Sequence, residues 1–435
     1  MAVEDAEVRL WGTTIGAVSW SSSARLGSFE YEQRFQSSGI EPAPLTMPLG
    51  PTIWSFPTLN TETFRGLPGM LADALPDKFG SALIEAWLAQ HGRSTADFSP
   101  VERLCYIGDR GMGALEFAPM LARAEPISGA LELGHLVELA NRALARNRGL
   151  DIRSAGVVDS DDLTAIIQVG TSAGGARAKA VIGWNEQTGE VRSGQTSLPE
   201  GFVHWLLKFD GVAANSDKEL ADPLGCGRIE HAYAEMAKAT GISMAPTRLL
   251  TEGGRAHFMT RRFDRPDGKK LHLQSLTAIA HFDFNQAGAH SYEQALQVTR
   301  RLGLHQNDRT DLYRRAVFNV VARNQDDHTK NIAFLMDQSG TWSLAPAYDI
   351  TYSFNPSGEW TSTHKMSING KRTRFTRSDF VALAAHANLS DRDGLGILDN
   401  TIEVVSGWAR FGADAGVDAD RIQEIAANLM LTSLR

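Results

Sequence analysis

Short runs in which apolar and polar residues alternate open the chain. Glu7-Val-Arg-Leu-Trp and Thr14-Ile-Gly-Ala-Val-Ser-Trp flank Gly12, and alternation on both sides of a turn residue predicts a β-hairpin. After a proline-rich stretch (Pro42, Pro44, Pro48, Pro51) the period changes. Phe79, Leu83, Ala86 and Trp87 fall near helical spacing within Lys78 to Gln90, with Gly92 as the stop. A second helix is predicted from Leu131 to Ala145, and Glu125-Pro126 marks a soft boundary between the two.

Strand signals dominate from about residue 155. Thr164-Ala-Ile-Ile-Gln-Val leads into Gly170-Thr-Ser-Ala-Gly-Gly-Ala-Arg-Ala-Lys179, and Ala180-Val-Ile-Gly-Trp continues to turn chemistry at Asn185 to Gly189. Val203-His-Trp-Leu-Leu-Lys-Phe is a further strand with Lys208 near its end. Ile229, Ala232, Tyr233, Met236 and Ala237 share one helical face, and Gly241 stands where a C′ glycine ends a helix. Thr247-Arg-Leu-Leu and Ala256-His-Phe-Met-Thr-Arg-Arg-Phe, joined through Gly253-Gly254, predict a second hairpin. Beyond Pro266-Asp-Gly the pattern is helical apart from one hairpin, Ile332-Ala-Phe-Leu-Met and Trp342-Ser-Leu-Ala around Asp337-Gln-Ser-Gly. The order is a β-rich lobe holding one helix, then a helix-rich lobe.

A chain of 435 residues has room for about three folding units, which the pattern sets at residues 1–125, 126–265 and 266–435. Its 43% hydrophobic content supports cores without staples. Cys105 and Cys226 are too few for a disulfide framework, and the acidic start lacks a basic and apolar leader. Together these predict a reduced, cytoplasmic protein. No apolar run reaches about 18 residues, so no membrane span is expected. With 43 Lys and Arg against 51 Asp and Glu the net charge is −8. That balance disfavours tight autonomous binding to DNA, where phosphate neutralisation supplies most of the affinity.

The richest chemistry lies in Asn324-Gln-Asp-Asp-His-Thr-Lys-Asn331, after a helix with Leu312, Ala316, Val317, Val320 and Val321 on its apolar face. Two carboxylates, an imidazole, an ammonium and an amide crowd into a loop carried by a rigid element, a common place for catalytic groups. Asp326 and Asn331 form Asp-x-x-x-x-Asn, the spacing of the protein-kinase catalytic loop, in which the Asp orients a hydroxyl and the Asn binds magnesium. Folding back the following hairpin returns Asp349 toward Asn331 as a second ligand. Hard oxygens without a nearby cysteine suit magnesium better than zinc. Gly174 and Gly175 allow close approach of backbone N–H groups to an anion, with Arg177 and Lys179 adding charge. Lys208, followed by a helix with Glu230 and Glu235, reproduces the strand-lysine and helix-glutamate order of kinases. Each feature alone has an ordinary reading: a capped polar loop, a glycine hairpin, a solvent-facing lysine. Their order is what chance explains poorly.

These residues resemble the HipA-like serine/threonine kinases, toxin halves of type II toxin–antitoxin pairs. The likeness lies in Ser172-Ala-Gly-Gly-Ala-Arg-Ala-Lys179, the Lys208 strand, Arg262-Phe-Asp-Arg265, Asp326-Asp-His-Thr-Lys-Asn331, Tyr348-Asp-Ile350 and Met366-Ser-Ile-Asn-Gly-Lys371. Arg103-Leu-Cys-Tyr-Ile-Gly and Gly111-Met-Gly-Ala-Leu-Glu-Phe look like the end of the family's N-terminal subdomain. The resemblance implies an α+β, protein-kinase-like bilobal fold: an N-terminal subdomain, a β-rich N-lobe with its hinge, and a mainly helical C-lobe. It implies catalysis at Asp326 with His328 and Lys330, and magnesium ligands Asn331 and Asp349. ATP would be held by Ser172, Ala173, Gly174, Gly175, Ala176, Lys179, Lys208 and Glu230, with Arg261 to Phe263 along the adenine. Ser172 matches a loop serine that relatives autophosphorylate, although Gly175-Ala-Arg-Ala-Lys179 departs from their usual Gly-x-Gln-Pro-Lys.

The expected activity is ATP- and magnesium-dependent phosphorylation of a serine or threonine hydroxyl. The resemblance adds a helix-turn-helix antitoxin of HipB type, DNA contact mainly through that partner, and a translation-related target such as an aminoacyl-tRNA synthetase. Two rivals stand beside it. One is a nucleotide-binding pseudokinase serving as corepressor. The other is a hydrolase using Asp326, Asp327 and His328 directly on a metal.

Overall fold

Two consecutive left-handed residues, Trp11 (φ 52°) and Gly12 (φ 77°), close the first hairpin. That backbone pair matches a two-residue turn to the right-handed twist of its strands. The computed structural model describes residues 3–76, 78–94, 98–121, 131–147, 177–195, 197–212, 216–217, 220–221 and 224–434. In it β1 (Asp5–Leu10) and β2 (Thr13–Ser21) form the expected hairpin. β3 (Leu26–Tyr31) and β4 (Leu115–Ala118) extend it to an antiparallel sheet of order β3-β2-β1-β4. Neither added strand is predicted by local pattern, since β4 is four residues long and depends on β1 for its partner.

Five helical segments accompany this sheet: α1 (Thr61–Phe64), α2 (Gly69–Ala72), α3 (Lys78–Gln90), α4 (Pro100–Ile107) and α5 (Leu133–Asn147). The α3 range is the predicted one and α5 lies two residues later than expected. The unexpected α4 is fixed by a capping box between Ser99 and Glu102 with proline in its first turn.

The second sheet is antiparallel, order β10-β11-β7-β5-β6. It comprises β5 (Lys179–Trp184), β6 (Val191–Ser193), β7 (Val203–Lys208), β10 (Thr247–Glu252) and β11 (Arg255–Arg261). A two-residue ladder, β8 (Ser216–Asp217) with β9 (Leu220–Ala221), stands apart from it. Side chains alternate across each strand. Ala180, Ile182, Trp205 and Leu207 therefore face α3 and α5, in a cluster with Phe79, Leu83, Leu136 and Val137. Lys179 and Lys208 face the other way, toward α6 (Cys226–Ala239). Three long helices thus cover the sheet where the pattern predicts one. Helix α6 lies so close to β11 that a Cβ on Gly227 would sit 2.2 Å from the Ala256 carbonyl oxygen. Only glycine permits that approach.

The third sheet, β12-β13-β14, adds β12 (His272–Ser275) to the predicted hairpin of β13 (Ala333–Met336) and β14 (Trp342–Leu344). Seven helices make up the rest of this lobe: α7 (Leu276–Ala280), α8 (Tyr292–Arg301), α9 (Gln306–Val321), α10 (Arg377–His386), α11 (Asp391–Ser406), α12 (Trp408–Asp414) and α13 (Ala419–Asn428). Leu312, Ala316, Val317, Val320 and Val321 of α9 are all buried, as predicted. The fold class is α+β. Among the described residues no helix is long and apolar enough to cross a membrane.

Two histidines pin the first sheet's subdomain to the helical lobe. His272 is fully buried with Nε2 3.0 Å from the Pro42 carbonyl, and the Gly69 N–H donates to His281 Nε2 at 3.1 Å. Burial lowers each imidazole from 6.5 to about 4. Below pH 6.5 the unfolded chain therefore takes up protons that these folded sites refuse. Stability is full above that pH and falls by up to about 1.4 kcal/mol per pH unit per histidine as pH drops toward 4. Urea midpoints at pH 7.5 and pH 5 should show this loss, and His281→Gln should flatten the slope.

Candidate active site

The charged centre begins on neighbouring strands. Lys179 and Lys208 are directly paired across β5 and β7, an arrangement of like charges that needs anions nearby. Glu230 of α6 supplies one, accepting from Lys208 Nζ at 2.5 Å and lying 3.7 Å from Arg177. Asp349 supplies the other, and its Oδ1 also accepts from Lys208 Nζ. Burial pushes the Asp349 carboxyl up, but Lys208 and Lys179 more than offset this and bring it down to about 2. Burial also pulls the Lys208 ammonium down, and the two carboxylates reverse that, leaving it above its ordinary value. Of the two glutamates on α6, Glu230 meets the lysine; Glu235 bonds Lys238 and Thr247 instead.

Asp349 has φ +53°, a left-handed conformation that Asp and Asn adopt more readily than other side chains. It follows the β13–β14 hairpin, whose return brings it back to the loop after α9, as the sequence predicts. Asp349, Asn331, His328 and Asp327 line one small cavity with Tyr348 and Asn319. Tyr348 locks the approach by donating to the Lys330 carbonyl at 2.7 Å.

Within that loop the adjacent carboxylates point to different tasks. Asp327 is buried and turned inward: its oxygens accept from Tyr292 Oη (2.9 Å), His364 Nδ1 (2.9 Å) and the Lys365 N–H (2.7 Å). Tyr292 in turn accepts from Asn319 Nδ2, and Asn324 donates to Asn319 Oδ1. This network anchors the loop and holds both Asp327 oxygens on protein donors, whereas the hydrolase reading needs them on a metal. Asp326 is only partly buried. The Trp360 indole N–H donates to its Oδ1 at 2.5 Å, His328 Nε2 lies 3.9 Å from the same oxygen, and Asn331 Nδ2 donates to its backbone carbonyl at 3.0 Å. Lys330 places its ammonium 5.5 Å from the Phe284 ring centre.

Residues 261–265 connect the sheet lobe to the helical lobe. Arg261 ends β11, and Phe263 stacks on Tyr348 with ring centres 5.9 Å apart. Asp264, fully buried, accepts from Arg262 Nη2 (2.7 Å), Arg265 Nη1 (2.8 Å) and the Gly113 N–H (2.8 Å). The first subdomain is thereby bonded to the connector itself. Ser172, Ala173, Gly174, Gly175 and Ala176, with the preceding predicted strand, lie outside the described residues. Trp360, Tyr292 and His364 were not singled out by sequence: each reaches the loop from a distant segment, and no local spacing marks it.

As chemistry, Asp349 and Asn331 offer a carboxylate and a carboxamide oxygen, hard donors of the kind a divalent cation takes with substrate oxygens. Among the described residues no three His, Cys, Asp or Glu are grouped to hold a metal alone. A strand lysine paired to a helix glutamate, a connector, and a polar loop facing an aspartate in a helical lobe define a kinase-like two-lobed protein.

Residues 171–409 match the HipA-like C-terminal domain and residues 6–118 the HipA N-terminal domain. The chain belongs to the HipA family. Its fold is similar to HipA in the Shewanella oneidensis MR-1 toxin–antitoxin complex of HipA, HipB and operator DNA. That match has a TM-score of 0.65 and covers 98% of this chain and 96% of the other, at 17% identity. The "Putative kinase Y4mE" of Sinorhizobium fredii is 26% identical over 211 residues, 44% of this chain. The chain spans about half the length of that curated relative, 49%.

Proposed function

We propose that this protein is an ATP- and magnesium-dependent kinase that phosphorylates a serine or threonine hydroxyl on a protein. The observation that carries the reading is Lys208 held between Glu230 and Asp349, with Asp326 and Asn331 on the facing loop. Lys208 contacts nucleotide phosphates, and Glu230 fixes its side chain. Magnesium, when bound, neutralises phosphate charge, and Asp349 and Asn331 are the residues that would hold it. Asp326 orients the acceptor hydroxyl and takes its proton as the new O–P bond forms and the bond to the ADP leaving group breaks. Phe263 and the backbone from Arg261 border the adenine.

The family resemblance supports three further assignments: autophosphorylation at Ser172, a HipB-type helix-turn-helix antitoxin that carries the protein to DNA, and a translation-related target such as an aminoacyl-tRNA synthetase. Intact mass before and after incubation with ATP and magnesium tests the activity. Wild type should gain phosphoryl mass, and peptide mapping should locate it. An unchanged mass, in the protein and in added acceptor protein alike, sinks the reading. Asp349→Asn should weaken nucleotide binding in saturating magnesium by roughly tenfold or more, the scale of a lost charged contact. Unchanged affinity by calorimetry would remove Asp349 from the site.

A further inference from the structure

A second cavity, of about 500 Å³, opens in the helical lobe beside the catalytic loop. That volume is within the range of small-ligand sites. Its polar lining is Arg323, Arg374, Ser362, Thr373 and Ser433, with Phe354 among its apolar walls, and no carboxylate lines it. In a chain of net charge −8, two guanidinium groups without an acid between them mark the cavity out.

Both arginines have left-handed backbones, φ 57° at Arg323 and φ 52° at Arg374. Such non-glycine conformations cost energy and recur at ligand clamps. Arg323 is pre-positioned: Nε donates to the Asn428 carbonyl at 2.7 Å, and its guanidinium lies 4.3 Å from the Phe354 ring centre. Arg374 is exposed and makes no hydrogen bond or ion pair among the described residues.

The cavity is tied to the catalytic loop through Gln325, which bonds two of its lining residues. Arg323 lies three residues before Asp326 in sequence. Gln325, with its amide oriented to satisfy its neighbours, accepts from Arg323 Nη1 (3.1 Å) and donates to the carbonyls of Thr361 (2.9 Å) and Ser362 (3.3 Å). Trp360, two residues earlier, holds Asp326. We propose that this cavity is an oxyanion-binding subsite for a phosphate monoester or carboxylate on the polypeptide that carries the acceptor hydroxyl. Fork-shaped guanidinium groups suit either oxyanion. The polypeptide assignment rests on the kinase reading; the oxyanion chemistry does not.

The test measures binding by the full chain without nucleotide, so it is independent of phosphoryl transfer. One fluorescein-labelled peptide is made with serine, phosphoserine or glutamate at its centre. Wild type should bind the phosphoserine peptide about tenfold more tightly than the serine peptide, the effect of one charge-assisted contact. Arg374→Ala, an exposed position with no fold role, should erase most of that preference while its melting temperature stays unchanged. Preference for phosphoserine alone assigns a phosphate monoester, and equal preference for glutamate assigns either acid. Equal binding of all three peptides by wild type overturns the proposal, and so does discrimination retained by Arg374→Ala.

Discussion

Asp326→Asn should reduce phosphoryl transfer by about 10²–10⁴-fold, the usual scale for removing a positioned general base, while nucleotide affinity stays near wild type. Asparagine keeps the oxygen that accepts the Trp360 indole N–H, so the loop should retain its shape. What it loses is negative charge and the capacity to take a proton. Asp326 is also absent from the lining of the cavity shared by Asn331 and Asp349, which is why binding and turnover should separate. Single-turnover rates with radiolabelled ATP, alongside calorimetric titration of nucleotide, measure both. Equal phosphate incorporation by variant and wild type would falsify the role given to Asp326.

The largest stability effect is expected at Asp264→Ala. Its carboxylate has no exposure and receives four hydrogen bonds, two from Arg262, one from Arg265 and one from Gly113. Burial alone would raise its pKa, but the two guanidinium groups outweigh that and hold it well below the usual carboxylate range. Removing it leaves two buried cations facing each other without an anion. Breaking a buried ion pair in this way costs about 3–5 kcal/mol. Chemical denaturation should show that loss, and limited proteolysis should cut sooner near Gly111, whose carbonyl accepts from both arginines. A cost under about 1 kcal/mol, the range of exposed pairs, would show that water reaches the site and screens it.

The parts legible in sequence are those encoded by spacing along one segment. Asp326 and Asn331 sit on one loop, Lys208 ends a strand with clear alternation, and a short hairpin returns Asp349 to them. The order of a β-rich and then a helix-rich lobe follows from the same local periods, whereas the α+β, kinase-like class comes from the family resemblance. What was not legible depends on partners far apart in the chain. Trp360 reaches Asp326 across 34 residues, and the Gly113 N–H reaches Asp264 across 151. The second carboxylate of the loop also reads alike in sequence and differently in space. Only burial by Tyr292, His364 and Lys365 separates Asp327, the anchor, from Asp326.

The left-handed backbone at Asp349 narrows what the chain can accept there. β-Branched and bulky side chains are strained in that conformation, whereas glycine, asparagine and aspartate enter it most easily. Of those three, glycine brings no oxygen and asparagine no charge. Steric tolerance and the demand for an anion therefore select the same residue, and drift at this position has almost nowhere to go.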